Sequence, residues 1–189
     1  MRFRLLFLLP LLLAACQTTP VVLDSARPFQ DALTVRTNIP GMVRASELER
    51  AAVQRVKDYF AVMTEDSVRR QTRLVYAPEA YLNDTLKSLS GATAIEDYFL
   101  ATVRKAESVT VRFEDAAESG GNYYFRWVMD TQLKKLRAGQ TIRTIGVTMM
   151  RFDAQGRVVL HQDFWDSTAG VFEHVPVMGT AIRGLKAKF

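Results

Sequence analysis

The stretch Thr141-Ile-Arg-Thr-Ile-Gly-Val-Thr-Met-Met-Arg-Phe-Asp-Ala-Gln-Gly-Arg-Val-Val-Leu-His-Gln-Asp-Phe-Trp-Asp166 decides the fold. It is rich in β-branched and aromatic residues, and Asp153-Ala-Gln-Gly156 in its middle is turn chemistry. The spacing predicts two antiparallel strands, over 141–152 and 158–166. Two more strand-like runs precede it, 109–113 and 123–133, separated by Ser119-Gly-Gly-Asn122 and by Ala138-Gly139. Further upstream the period changes from two to between three and four. Leu48, Ala52, Val56, Phe60 and Met63 predict a helix over 47–63, opened by Ser46 and Glu49 in capping-box relation. Ile95, Phe99 and Val103 line one face of a second helix ending near residue 106, with Thr93 and Glu96 as another capping box. Between them, 69–76 reads as further helical turns stopped before Pro78, and 81–86 as a short strand. A last helix is expected over 180–188. Helices followed by an antiparallel meander indicate an α+β domain, with the helices covering one sheet face.

Three phrases carry a resemblance that spans residues 47–189. They are Gly91-Ala-Thr-Ala-Ile-Glu-Asp-Tyr-Phe99, Gly146-Val-Thr-Met-Met-Arg-Phe-Asp153 and Gly156-Arg-Val-Val-Leu-His-Gln-Asp-Phe-Trp-Asp166; Val175-Pro-Val-Met-Gly179 before a basic helix adds to them. In this order the chain resembles the nuclear transport factor 2-like superfamily, in its SnoaL-like and ketosteroid-isomerase-like branch. The resemblance implies a cone: a curved antiparallel sheet wrapped round N-terminal helices, with an apolar cavity inside. That family holds isomerases, cyclases, epoxide hydrolases and binding proteins, so the fold leaves function open. The open sheet face of such domains often pairs, which admits a homodimer.

The N-terminus has a different grammar. Arg2 and Arg4 precede an apolar run from Leu5 to Leu13, broken by Pro10 and closed by Ala14-Ala15-Cys16. A basic start, a short apolar stretch and small residues before a cut site make a secretory signal, too short to span a bilayer of roughly 30 Å. Leu13-Ala-Ala-Cys16 resembles a bacterial lipoprotein lipobox, whose cysteine becomes the lipidated first mature residue. Residues 1–15 are accordingly expected to be a signal peptide, 16–45 the lipidated Cys16 and a Pro-rich tether, and 46–189 the SnoaL-like domain. Val21-Val-Leu23 and Phe29 could dock on that domain. Gln17, where an aspartate would signal inner-membrane retention, implies an outer-membrane protein facing the periplasm, in a Gram-negative source.

Composition narrows the chemistry. Removing residues 1–15 takes away two arginines and no acids, so the formal charge falls from +5 to +3. No dense Lys/Arg block marks a nucleic-acid face. Cys16 is the only cysteine, so disulfides within the chain and cysteine-type zinc sites are excluded. His161 and His174 are the only histidines, too few for a multi-histidine metal centre in one subunit. No cofactor is expected; the sequence lacks a phosphate loop, a His-Glu-x-x-His and a Gly-x-Ser-x-Gly.

Alternation on the last strand places Val159, His161, Asp163 and Trp165 on one face. A histidine and a carboxylate two residues apart share a proton or grip one ligand; alternatively they are a satisfied polar pair, or partly solvated at a sheet end. By resemblance to SnoaL-like cyclases, Asp163 stands where a carboxylate acts as general base. The ketosteroid-isomerase resemblance puts a proton-shuttling aspartate at Asp84, which otherwise initiates a turn. It puts that family's oxyanion tyrosine at Tyr59 or Phe60. Its second oxyanion group falls on Thr148, whose hydroxyl cannot replace a protonated carboxyl. Trp127, with Phe125 and Met129, forms an apolar strand face opposite Tyr124, Arg126 and Asp130, the last two expected as an exposed ion pair. Trp127, Tyr98 and Trp165 supply either core or cavity wall. The sequence therefore predicts a membrane-anchored domain binding a small, largely apolar molecule. The alternatives are an enzyme of proton-transfer or hydrolysis type using Asp163 or Asp84, and a dimeric scaffold.

The anchor is testable at one atom. Cys16→Ser is expected to release the protein from the membrane fraction and to block normal processing, since stable attachment needs more than one acyl chain. Cell fractionation and the mobility of the processed protein read both effects. A variant that stays membrane-bound and normally processed removes the lipoprotein reading.

Overall fold

In the computed structural model residues 24–189 are described; Cys16, the signal segment and the Val21-Val-Leu23 patch lie outside them. The chain runs α1 (Arg27–Thr37), α2 (Glu47–Ala61), α3 (Glu65–Val75), β1 (Tyr76–Asn83), β2 (Ser88–Ser90), α4 (Ala92–Lys105), β3 (Ala106–Ser119), β4 (Asn122–Leu133), β5 (Thr141–Phe152), β6 (Val158–Trp165), α5 (Ser167–Gly170), a 3-10 turn Phe172–His174 and α6 (Met178–Lys186). The strands form one open sheet in the order β2-β1-β6-β5-β4-β3. The α+β class and the helix-covered sheet expected from the period change are what the fold has.

Helix α2 begins where its cap dictates. Ser46 Oγ accepts the Glu49 N–H at 3.1 Å, while the Glu49 carboxylate reaches back one residue further than in a capping box, to the Ala45 N–H. Helix α3 opens on a full capping box between Thr64 and Ser67. The box expected from Thr93 and Glu96 does not form. Gly91, at φ 92°, caps α4, and both side chains turn instead to Arg73, at 3.3 and 3.0 Å. An arginine from the neighbouring helix outcompetes the local backbone.

Packing separates the two faces of the sheet. On the inner face Val56 and Phe60 of α2, Val68 and Val75 of α3, and Ile95, Phe99 and Val103 of α4 join Val109, Phe125, Met150, Phe152 and Val158 in one core. Phe60, Ile95, Phe99, Trp127 and Phe152 are all buried, as the pattern required. On the outer face Phe29, Ala32 and Leu33 of α1 cover Tyr81, Met149 and Leu160. Residues 27–37, read above as tether, are thus a helix docked on the sheet. Arg36 fastens it, donating from Nε to the Val159 carbonyl at 2.7 Å and from Nη2 to the Glu79 carbonyl at 3.1 Å. Its apolar stripe is too short to announce itself in sequence; the docking is tertiary.

Three further departures have local causes. Strand β1 starts at Tyr76, well before residue 81, and runs parallel to β6, so the sheet is mixed at that one pair. Pro78, which can donate no ladder bond, sits within the irregularity between Tyr76 and Tyr81. Arg126 and Asp130 do not pair with each other: Arg126 bonds Glu114 across β3, and Asp130 takes a two-pronged contact from Arg143 at 2.7 Å across β5. Asp166, expected as strand, ends β6 by capping α5 through the Ala169 N–H.

The helix–sheet joint is expected to dominate stability. Phe99→Ala should cost about 3–5 kcal/mol in denaturant titration of residues 24–189. A loss under about 1 kcal/mol would mean that α4 does not carry the core.

Candidate functional site

Between the inner sheet face and α4 lies a cavity of about 450 Å³, a size that suits a small molecule. Strand β6 supplies its chemistry. The ladder slips at Val159, where Phe152 pairs with Val158 but Arg151 with Leu160. Val158 therefore takes the inward place expected of Val159, and His161, Asp163 and Trp165 follow it inward by alternation. Gly146 of β5 stands in register between Trp127 of β4 and Trp165 of β6. A Cβ on it would overlap the Trp127 ring and lie 2.8 Å from Trp165 Cβ, so only glycine lets the two indoles flank one rung. Gly170 in α5 does the same for the other edge of Trp165.

The polar groups form a single chain. Tyr76 Oη lies 2.7 Å from His161 Nδ1, and His161 Nε2 lies 2.9 Å from Asp163 Oδ1. Thr148 Oγ1 donates to the same Oδ1 and accepts from Trp127 Nε1 at 2.8 Å. An indole N–H only donates, so Thr148 must send its own proton to Asp163. Full burial pushes the Tyr76 hydroxyl well above its ordinary pKa, with Tyr59 and the two aspartates adding to the shift, and so keeps it a donor. His161 then accepts at Nδ1 and donates from Nε2, the neutral tautomer that leaves every proton placed. All vectors end on Asp163 Oδ1. No hydrogen bond from the described residues reaches Oδ2, and the Asp163 side chain is 17% exposed against 4% for His161. The arrangement offers one oriented, unfilled acceptor to whatever enters the cavity.

Asp84 also borders the cavity but is spent differently. Its Oδ1 accepts the N–H groups of Leu86 and Lys87, at 3.0 and 2.8 Å, in a side-chain-closed turn. Its Oδ2 is bonded by Tyr98 Oη, and burial together with that bond raises the Tyr98 pKa. Trp165 Nε1 donates to the Asp84 carbonyl at 2.7 Å. The turn-initiating role is therefore real, and both carboxylate oxygens are engaged.

Of the residues expected at the site, Asp163, His161, Asp84, Phe60, Tyr98, Trp127, Thr148 and Trp165 all line this cavity. Tyr59 is the exception: its hydroxyl pairs with Thr72 at 2.7 Å in the core, and Phe60 faces the cavity instead. Helix α2 turns by about 100° per residue, so only one of two neighbours can face the sheet. Tyr76, which orients His161, closes the run 69–76 whose pattern predicts helix, so the sequence does not mark it as part of the site. Gly146 carried a usable signal, a glycine inside an otherwise alternating strand.

The folded chain can be set against known proteins. A structure of ketosteroid isomerase-like fold from Catenulispora acidiphila, solved with trimethylamine, has 14% identity and a TM-score of 0.55, covering 64% of this chain and 88% of that one. An NTF2-like protein of unknown function from Exiguobacterium sp. has 16% identity and a TM-score of 0.53, covering 62% and 99%. A LEH-like epoxide hydrolase from M. tuberculosis has 11% identity and a TM-score of 0.53, covering 74% and 92%. At these identities the likeness is one of fold. No curated protein sequence matches the chain. The family model of the SnoaL-like domain matches residues 56–161, from the middle of α2 to the histidine on β6, and the chain belongs to that family.

Proposed function

We propose that this protein is a membrane-anchored lipoprotein, facing the periplasm, whose SnoaL-like domain binds a small, largely apolar molecule and receives a hydrogen bond from it at Asp163 Oδ2. One observation carries the reading: a carboxylate oxygen left without a hydrogen-bond partner among the described residues, in a cavity lined mainly by apolar side chains. Burying polar groups without partners is costly, and every other side-chain polar group of the Tyr76–Trp127 chain has one. Asp163 keeps 17% of its side chain exposed instead, so Oδ2 is the one acceptor of that chain a molecule in the cavity can reach. The anchor half of the proposal rests on Leu13-Ala-Ala-Cys16 and Gln17.

The same geometry supports a second reading, an enzyme of proton-transfer or hydrolysis type with Asp163 as base. Two donors on Oδ1 fix the direction in which Oδ2 points, the placement a general base needs. Asp84, with both oxygens engaged, suits that work less well. A scaffold role would favour a filled cone, and the open cavity argues for the ligand reading.

Asp163→Asn separates these roles from a structural one. The amide keeps nearly the same volume and presents a donor where Oδ2 accepted. Stability should stay within about 1 kcal/mol. Native mass spectrometry of protein purified from its own membranes should show a bound small molecule on the wild type and little on the variant. Stability lost by roughly 1–3 kcal/mol with ligand occupancy unchanged would remove Asp163 from the site and turn attention to Asp84.

A further inference from the structure

The cavity is long and has unlike ends. Trp127, Met129, Thr131 and Leu133 of β4 all line it, and at about 3.3 Å per residue that wall is roughly 20 Å long. Opposite, Tyr98, Thr102 and Lys105 of α4 line it over two helical turns, about 10 Å. At the Trp127 end lie Asp163 and Asp84. At the Leu133 end stands Lys105, whose residue is exposed although it borders the cavity, which puts it at the mouth. Midway, Thr144 Oγ1, in register with Met129, is buried without a hydrogen-bond partner.

Lys105 differs from the cations around it. Its neighbour Arg104, also in the last turn of α4, is paired with Glu65 at 2.8 Å. Lys87, the other lysine at the cavity, forms no ion pair among the described residues, but it stands at the aspartate end, its Nζ 5.8 Å from the Tyr98 ring, where Asp84 and Asp163 outnumber it. No carboxylate of the described residues comes within ion-pair distance of Lys105. An anion entering this cavity is repelled by the aspartate end and attracted to the Lys105 end, which sets its orientation.

We propose that the ligand is an elongated apolar acid: a carboxylate-class anionic head held at Lys105, an apolar body along β4, and a neutral proton donor at the far end meeting Asp163. This deepens the ligand-binding reading above and rests on it. The two tryptophans of the chain, Trp127 and Trp165, both line the cavity, so emission excited through indole reports occupancy directly.

The test is titration of the wild type with three probes of equal length: ω-hydroxydodecanoate, α,ω-dodecanediol and dodecanoate. The hydroxy acid should bind at least about tenfold tighter than the diol, a preference that narrows as salt rises. Lys105→Gln should reduce the preference to about twofold or less, and Lys105→Glu should reverse it, each with the diol's affinity unchanged. The hydroxy acid should also bind more tightly than dodecanoate, and Asp163→Asn should erase that second difference alone. Equal binding of acid and diol, indifferent to both Lys105 variants, overturns the anionic-head assignment while leaving an apolar-ligand cavity. Failure of all three probes to change the emission overturns the ligand reading on which it rests.

Discussion

Phe99 touches four aromatic rings at once, Tyr59, Phe60, Tyr76 and Tyr98, with centroids 5.8 to 6.2 Å apart. That cluster is where α2, α4 and β1 meet, and the rest of the molecule is arranged around it. The contact with Phe60 is edge-to-face and the other three are tilted; such ring pairs add directionality to ordinary burial, so the helices are held at a set height above the sheet. Pressed flat, they would fill the cone. Wedged apart by Phe60 and Phe99, they leave room for the cavity that these two rings also line.

The hydrogen-bonded chain depends on the same wedge. Tyr76 stacks on the His161 ring at an interplanar angle of 15°, and Phe60 meets that ring at its edge. The imidazole is thus fixed by two rings as well as two hydrogen bonds. A buried polar chain stabilises a fold only when complete, and here each apolar contact removes water that would compete for a link. The result is a rigid acceptor at Asp163, held in part by Tyr76, which stands behind the cavity wall. Tyr59, though absent from the wall, belongs to this support through Thr72 and Phe99.

What the sequence made legible followed from local periodicity. Strands β4, β5 and β6 turn one face to core or cavity and the other to solvent or α1, so side chains two apart share their surroundings. The inward set His161, Asp163 and Trp165 could be read from that alone, although the slip at Val159 could not. What stayed hidden was set by distant partners. Pro78 argued against a strand that β6 then accepted in parallel, and with that strand Tyr76 was lost. Arg73 took both members of the box at Thr93 and Glu96. Arg126 and Asp130 found cross-strand partners stronger than each other. Each miss is a case where a tertiary contact outbid a short-range preference.

The clasp of Arg36 on Val159 and Glu79 also has a geometric consequence for a chain anchored at Cys16. With α1 pinned to the sheet, the proposed anchor at Cys16 lies eight positions before Asp24, a separation that no chain can stretch past roughly 30 Å. A domain anchored as proposed would sit no higher than about one hydrocarbon thickness above its leaflet. It would also hang from its convex side, with the cavity on the opposite face of the sheet. An occupant would then exchange with the aqueous space or with a neighbouring complex, and a direct plunge into the bilayer beneath would be the harder route.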